Sequence, residues 1–242
     1  MLEWHYLKER VQCGTRLRHP PQDTRQQVHF IVAVTADREE LPLIYDRFLK
    51  PFFSQSVAER LGIPFYDKKL VQIVAERSGL SAETVRREGE YSSASSLFTS
   101  VSSRGYSAYN ASQRENMALP DQINAYQTEL IKELADKGSC VIVGRCADYI
   151  LQGREDCFHI FISGALPDRA NRVIAEHGIA SETARNHVRE RDRKRSSYYK
   201  HITDQAWGLA ANYDLCLNSS KLGIDRCVEL ILASVGTGMN HV

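Results

Sequence analysis

The sequence predicts an α/β fold in which helices cover both faces of a parallel sheet. Short apolar runs at residues 28–35, 140–143 and 158–162 are rich in β-branched side chains, which is typical of buried strands. Between them lie helical patterns, the longest over residues 121–137, which Gly138 closes. Because strands alternate with helices along the chain, we expect right-handed βαβ units and a parallel sheet.

Local start and stop signals predict the remaining elements. A helix over residues 54–61 ends at Gly62, with Pro64 just beyond, and a short strand at 63–66 leads to Asp67. The next predicted helix, over residues 69–77, stops at Gly79. The further predictions are helices at 167–176 and 225–233, a helix capped by Ser181, and a last strand at 213–217.

Composition excludes several classes of protein. The 242 residues carry 31 basic and 30 acidic side chains, so net charge predicts no general attraction to nucleic acid. Six cysteines without a CxxC pair indicate neither a zinc site nor a disulfide framework. No apolar stretch approaches the roughly 20 residues that span a bilayer, and no signal peptide is visible. We therefore expect a cytoplasmic protein that binds no membrane.

A glycine and an arginine follow the apolar run at residues 140–143. Ligands of open α/β sheets bind at the carboxyl ends of the strands, so Gly144 and Arg145 are well placed to hold a phosphate. The alternative is a surface arginine that pairs with a carboxylate. This stretch alone leaves both interpretations open.

A basic run, RERDRKR, occupies residues 189–195 of a predicted helix. Arg191 and Arg195 share a helix face, and like charges at that spacing repel unless an anion lies between them. Asp192 could orient an arginine, and Arg169 is a second cationic source on the preceding helix. A solvated basic face is the alternative. Phosphoryl transfer requires cations and the exclusion of water, so the arginines together favour phosphate chemistry.

Four segments, at residues 56–70, 129–151, 189–199 and 212–225, resemble the cytidylate kinase-like family, relatives of the nucleoside monophosphate kinases. The resemblance spans about three-quarters of the chain, and the motifs occur in the family's order. It implies a P-loop-kinase-like, three-layer α/β/α fold with a five-stranded parallel sheet. The implied kinase-like domain covers residues 54–235, with a monophosphate arm at 91–116 and an arginine-rich lid at 181–203.

The same resemblance implies transfer of the γ-phosphate of ATP, with Mg2+, to a pyrimidine nucleoside monophosphate, CMP or dCMP. Asp67 would lie at the mouth of the monophosphate site, and the Gly-Arg pair would hold the acceptor phosphate. By motif, the substrate-binding residues are Asp67, Gly144, Arg145 and Arg189, and the catalytic lid residues are Arg191, Asp192 and Arg195.

The amino-terminal part departs from the family's pattern. Such kinases wrap the donor phosphates with a glycine-rich loop before the first helix, but no glycine occurs between Gly14 and Gly62. We treat residues 1–27 as an irregular leader and 28–53 as an atypical segment that replaces the phosphate loop. Three explanations are open: a degenerate kinase without ATP binding, an altered reading frame or start, or an unrelated ATP-binding loop.

Two alternative functions accompany the kinase prediction. The missing glycines favour a non-catalytic nucleotide-binding or regulatory module. Binding of RNA or DNA through the basic run at residues 185–195 is a third possibility, which the near-neutral net charge disfavours.

Overall fold

The computed structural model describes residues 29–34, 53–90, 117–177 and 180–236 of the chain. The predicted leader (1–27), most of the atypical segment (28–53) and the predicted monophosphate arm (91–116) lie outside these residues. The strands are short, between two and seven residues long. Helices make up most of the rest of the described chain.

The described strands form one sheet in the order β2-β3-β1-β4-β5, and every neighbouring pair is parallel. The first strand therefore occupies the centre, with Phe30 in register with Val141 on one side and Phe158 on the other. This arrangement confirms the predicted α/β class. The strands are β1 (His29–Val34), β2 (Phe65–Tyr66), β3 (Val141–Val143), β4 (Cys157–Ser163) and β5 (Leu215–Asn218).

Helices connect the strands, and their bounds agree with most of the sequence predictions. Gly62 and Gly79 adopt positive φ angles just after the first two helices, as expected for glycines that end a helix. The helices are α1 (Phe53–Leu61), α2 (Lys68–Ser78), α3 (Ala82–Glu90), α4 (Leu119–Lys137), α5 (Ala147–Ile150), α6 (Leu166–His177), α7 (Ser181–Thr203), α8 (Ser219–Leu222) and α9 (Ile224–Gly236).

Two details differ from the sequence prediction. The cap of α7 is Ala180 and makes no side-chain hydrogen bond, so the predicted Ser181 cap is wrong and Ser181 is the first helical residue. The helix α3 was not predicted, because its sequence AETVRREGE has a single buried apolar side chain, Val85. Its start is nevertheless capped, since the Thr84 backbone N–H donates to Ser81 Oγ at 3.0 Å.

Two hydrophobic layers cover the sheet. In β3, Val141 and Val143 pack in one layer and Ile142 packs in the other, because successive strand residues point to opposite faces. Leu70 of α2 and Ile131 of α4 belong to the Ile142 layer. A strand that is buried on both faces must be apolar throughout, which explains the continuous apolar run seen in the sequence.

Truncation of Ile142 tests this core. The side chain is fully buried, so we expect Ile142→Ala to lower the free energy of unfolding by about 2–5 kcal/mol. Urea denaturation measures the change. Leu209→Ala is the control, since Leu209 is 50% exposed and its loss should cost less than about 1 kcal/mol. Equal losses in the two variants would contradict the assignment.

Candidate functional site

An unusual turn at the end of β3 directs Arg145 into the protein. Gly144, Arg145 and Cys146 have φ angles of 67°, 58° and 54°, so three consecutive residues are left-handed, two of them not glycine. The Ala147 N–H then donates to the Gly144 carbonyl oxygen at 3.1 Å, and α5 begins. Arg145 is 7% exposed, so the alternative of a surface arginine is wrong.

The Arg145 guanidinium lies where three helices converge. Its Nη1 atom is 3.5 Å from the point that a Cβ on Gly89 of α3 would occupy, and Ile123 Cγ2 of α4 is 2.7 Å from that point. Gln127 Nε2 donates to the Gly89 carbonyl oxygen at 3.4 Å, and the Tyr198 hydroxyl of α7 donates to Gln127 Oε1 at 3.3 Å. We call Gly89, Gln127, Arg145 and Tyr198 the Arg145 junction.

Asp67 lies at the same edge of the sheet. It directly follows β2, whose Tyr66 is in register with Ile142 of β3, so the carboxyl ends of the two strands are adjacent. The side chain is 8% exposed and makes no capping hydrogen bond to α2. The structure therefore places a buried acidic side chain at the same edge of the sheet as the Gly144-Arg145 turn.

The basic helix α7 presents its arginines to different surroundings. Arg195 is buried one turn before Tyr198, Arg191 is half-buried, and Arg189 is exposed. Arg191 lines a cavity of about 360 Å³ between α3 and α7. The other residues that line it are Glu83, Arg86, Arg87, His187, Glu190 and Lys194. Arg191 and Arg195 are thus at least partly shielded from solvent, whereas Arg189 is exposed.

Asp192 is held by an arginine of the neighbouring helix. Arg169 donates from Nη1 and Nη2 to the two carboxylate oxygens of Asp192, at 2.7 and 2.6 Å. Arg169 is buried, so this bidentate ion pair links α6 to α7 in a partly desolvated place. The expectation that Asp192 orients an arginine is met by Arg169.

A second buried contact anchors α7 to the segment that follows Arg145. The Tyr199 hydroxyl donates to Asp148 Oδ2 at 2.6 Å, and both residues are buried. Burial raises the pKa of Asp148, and the hydrogen bond from Tyr199 opposes that rise without cancelling it. Sequence reasoning missed this pair. The signal was an aspartate within the apolar run that follows Arg145.

The described residues contain no group of three or more His, Cys, Asp or Glu side chains that could hold a metal ion. None of their helices is long and apolar enough to cross a membrane.

Comparison with known proteins identifies the family. The family model described as "Cytidylate kinase-like family" matches residues 53–221. The chain belongs to this family. The match begins at the first residue of α1, so the glycine-free segment before α1 lies outside it, whereas the Arg145 junction and α7 lie within it.

Individual relatives are distant. A cytidylate kinase of Methanopyrus kandleri is 28% identical over 112 residues, which is 43% of this chain. The chain spans 58% of the length of that curated relative.

Solved structures extend the comparison to most of the chain. An uncharacterized protein of Eubacterium ventriosum has a TM-score of 0.62 at 22% identity, and the match covers 87% of this chain and 99% of the other. This match shows the same fold. A shikimate kinase of Bacteroides thetaiotaomicron matches over 86% of this chain and 98% of its own, with 12% identity and a TM-score of 0.45.

The Arg169–Asp192 pair provides a test of how α7 is fixed in this family member. In a double-mutant cycle with Arg169→Met and Asp192→Asn, we expect a coupling free energy of about 1–3 kcal/mol, because the guanidinium is desolvated. The exposed pair Lys194–Glu190 on the same helix is the control and should show much weaker coupling. Additive losses at Arg169 and Asp192 would exclude the link.

Asp148 should make stability depend on pH. Folding raises the pKa of this carboxyl group, so the folded protein binds the proton more tightly than the unfolded chain does. The free energy of unfolding therefore falls as the pH rises from the ordinary pKa to the raised one. Asp148→Asn cannot ionise and still accepts the Tyr199 hydrogen bond. Relative to the unsubstituted chain, its stability should therefore rise between about pH 4 and pH 7.

Urea denaturation over this pH range measures that difference. The exposed Leu209→Ala variant, which changes no titratable group, is the control, and its difference from the unsubstituted chain should stay nearly constant. If the curve of Asp148→Asn also ran parallel to that of the unsubstituted chain, the buried carboxylate would not be the cause.

Proposed function

We propose that this member of the cytidylate kinase-like family transfers the γ-phosphate of ATP to a pyrimidine nucleoside monophosphate, CMP or dCMP. The observation that carries the proposal is the buried Arg145 at the carboxyl edge of a parallel sheet, within a chain that belongs to this family. A buried guanidinium binds a phosphate more strongly than an exposed one, because less solvent competes for it. The cytidylate kinase of Methanopyrus kandleri supports the choice of acceptor.

The acceptor phosphate would contact Arg145 at the end of β3. The left-handed turn fixes the direction of this side chain before the ligand arrives, which lowers the cost of ordering it on binding. Asp67 lies on the adjacent strand end and would orient the acceptor from the other side of the edge. Mg2+ bound to ATP would neutralise phosphate charge, and Asp67 is a buried acidic side chain at this edge of the sheet.

The arginines of α7 would act on the transferred phosphoryl group. Arg191 and Arg195 lie on the side of α7 that faces the protein, and phosphoryl transfer requires positive charge around the three equatorial oxygens. The Arg169–Asp192 and Tyr199–Asp148 contacts hold α7 so that these guanidinium groups keep their positions. Arg189 is exposed and would contribute only to long-range attraction of the nucleotide.

A non-catalytic nucleotide-binding module is the second candidate. The observation that favours it is the absence of glycine between Gly14 and Gly62, where donor phosphates would need exposed backbone N–H groups. In this case the chain would bind CMP and would not hydrolyse or transfer from ATP. With six cysteines outside any CxxC pair, a reducing cytoplasm is the compartment that we propose for either activity.

Formation of ADP from Mg-ATP, measured with and without CMP, separates the two candidates. The kinase predicts ADP release that requires CMP, whereas the binding module predicts CMP binding by titration calorimetry without turnover. We expect Arg145→Ala to weaken CMP binding about 10–100-fold, because a charged hydrogen-bond donor to phosphate is lost. Arg145→Lys should recover part of the affinity as a point charge.

Arg77→Ala is the matched control for a lost arginine. Arg77 pairs with Glu133 on the exposed side of α2 and α4, so its removal should leave CMP affinity unchanged. If Arg145→Ala bound CMP as well as the unsubstituted chain, the acceptor phosphate would have to lie elsewhere.

A further inference from the structure

Three arginines form a row on the exposed side of α7. Arg185, Arg189 and Arg193 follow one another at intervals of four residues, so they lie on one face of the helix. All three are exposed, whereas Arg191 is half-buried and Arg195 is buried. We call Arg185, Arg189 and Arg193 the arginine row. With a rise of roughly 1.5 Å per residue, the row is about 12 Å long.

The arginine row has no carboxylate of its own. Among the described residues, no hydrogen bond or ion pair involves the three side chains. The two acidic residues that lie between them in sequence are held by other cations, since Glu190 pairs with Lys194 at 2.8 Å and Asp192 pairs with Arg169. Glu182 lies three residues before the row and makes no ion pair with it. The positive charge of the row is therefore not neutralised by direct contacts.

Exposed arginines elsewhere in the described chain show the contrast. Arg77, Arg87 and Arg226 each have a carboxylate oxygen within 2.9 Å. Arg60, at the end of α1, is a single exposed charge. Like charges four residues apart on a helix repel each other, so the row destabilises α7 unless an anion from outside neutralises it. Three neighbouring cations without partners thus indicate a surface for an anionic ligand.

The rest of the exposed side of α7 indicates what kind of anion it fits. The large apolar side chains that are exposed in the described chain are Leu209, Leu222 and Ile224, and none of them belongs to α7. Membrane-surface helices insert apolar side chains and protein interfaces have an apolar core, so neither partner fits this surface. Exposed Ser196 and Ser197 extend the row and offer hydroxyl groups to phosphate oxygens. A polar and cationic surface is typical of contacts with nucleic acid.

The length and rigidity of the row also suit a chain of phosphates. A duplex strand carries a phosphate about every 3.4 Å along its axis, so a row of about 12 Å faces three to four of them. The Arg169–Asp192 and Tyr199–Asp148 contacts hold α7 from its other side, which lowers the cost of ordering the helix on binding. The net charge of +1 does not oppose binding, because salt limits attraction to charges within roughly 8–10 Å.

We propose that the arginine row binds the phosphate backbone of a nucleic-acid strand. Each guanidinium donates to phosphate oxygens, and the serine hydroxyls add neutral hydrogen bonds. Such contacts carry no sequence information, so binding is independent of base sequence. The row lies on the solvent side of α7, whereas Arg145 is buried, so this inference does not depend on the proposed function.

Fluorescence anisotropy with a labelled single-stranded RNA of mixed sequence tests the assignment. Three neutralised phosphates predict a slope of about −2 for the logarithm of affinity against that of salt concentration, so affinity should fall roughly 20-fold between about 50 and 200 mM KCl. In the triple variant Arg185→Gln, Arg189→Gln, Arg193→Gln we expect at least about 10-fold weaker binding at about 50 mM KCl and a slope near zero. A DNA duplex of the same length shows whether single or double strands are preferred.

The matched control removes three exposed arginines elsewhere. Arg60→Gln, Arg77→Gln, Arg226→Gln lowers the net charge equally, and its RNA affinity should change less than about twofold because these positions lie outside the row. A second row variant, Arg185→Lys, Arg189→Lys, Arg193→Lys, keeps the charges and should retain most of the affinity and the salt slope. The melting temperature of each row variant should not fall, since the three side chains are exposed.

Three results would overturn the inference. Equal loss of RNA affinity in the two glutamine variants would show an effect of net charge alone. Binding of neither RNA nor DNA by the unsubstituted chain would remove the partner. Cosedimentation of the chain with phosphatidylserine vesicles, without binding to either nucleic acid, would assign the row to a membrane surface instead.

Discussion

The architecture of the candidate site depends on one turn, the three left-handed residues that follow β3. The left-handed conformation costs a residue other than glycine roughly 1–2 kcal/mol, and here both Arg145 and Cys146 adopt it. The turn reverses the chain at once, so that Arg145 is buried and α5 starts at Ala147. It also places Asp148 where Tyr199 of α7 reaches it. A relaxed turn would misplace both the guanidinium and the helix α7.

The helix α7 combines two roles on its different faces. One face is apolar or ion-paired and packs on α5 and α6 through Tyr199 and Asp192. The other carries Arg191 toward α3 and Tyr198 toward α4. Positive charges on the same helix repel each other. This basic stretch is therefore stable only where carboxylates or another anion lie near it. The structure supplies carboxylates on both faces, Asp192 on one and Glu83 and Glu190 beside Arg191 on the other, and the proposed nucleotide would add an anion.

The amino-terminal part of the chain presents a contrast. The strand β1 lies at the centre of the sheet and pairs with both β3 and β4, so the sheet depends on a segment that precedes the family match. The residues between β1 and α1 contain no glycine. The proposed acceptor side of the site is thus supported by packing and hydrogen bonds, whereas the proposed donor side would involve a segment outside the described residues. This difference is the physical basis for proposing both a kinase and a binding module.

The sequence by itself determined the α/β class and most element positions, because apolar periodicity and glycine stop signals are local properties of the chain. It also singled out Arg145 and the basic run of α7. Only the tertiary structure decided which of these charges face the protein, since burial depends on neighbours that are distant in sequence. Asp192 pairs with Arg169 across 23 residues, Asp148 with Tyr199 across 51, and Gln127 with Tyr198 across 71. No local pattern predicts such pairs.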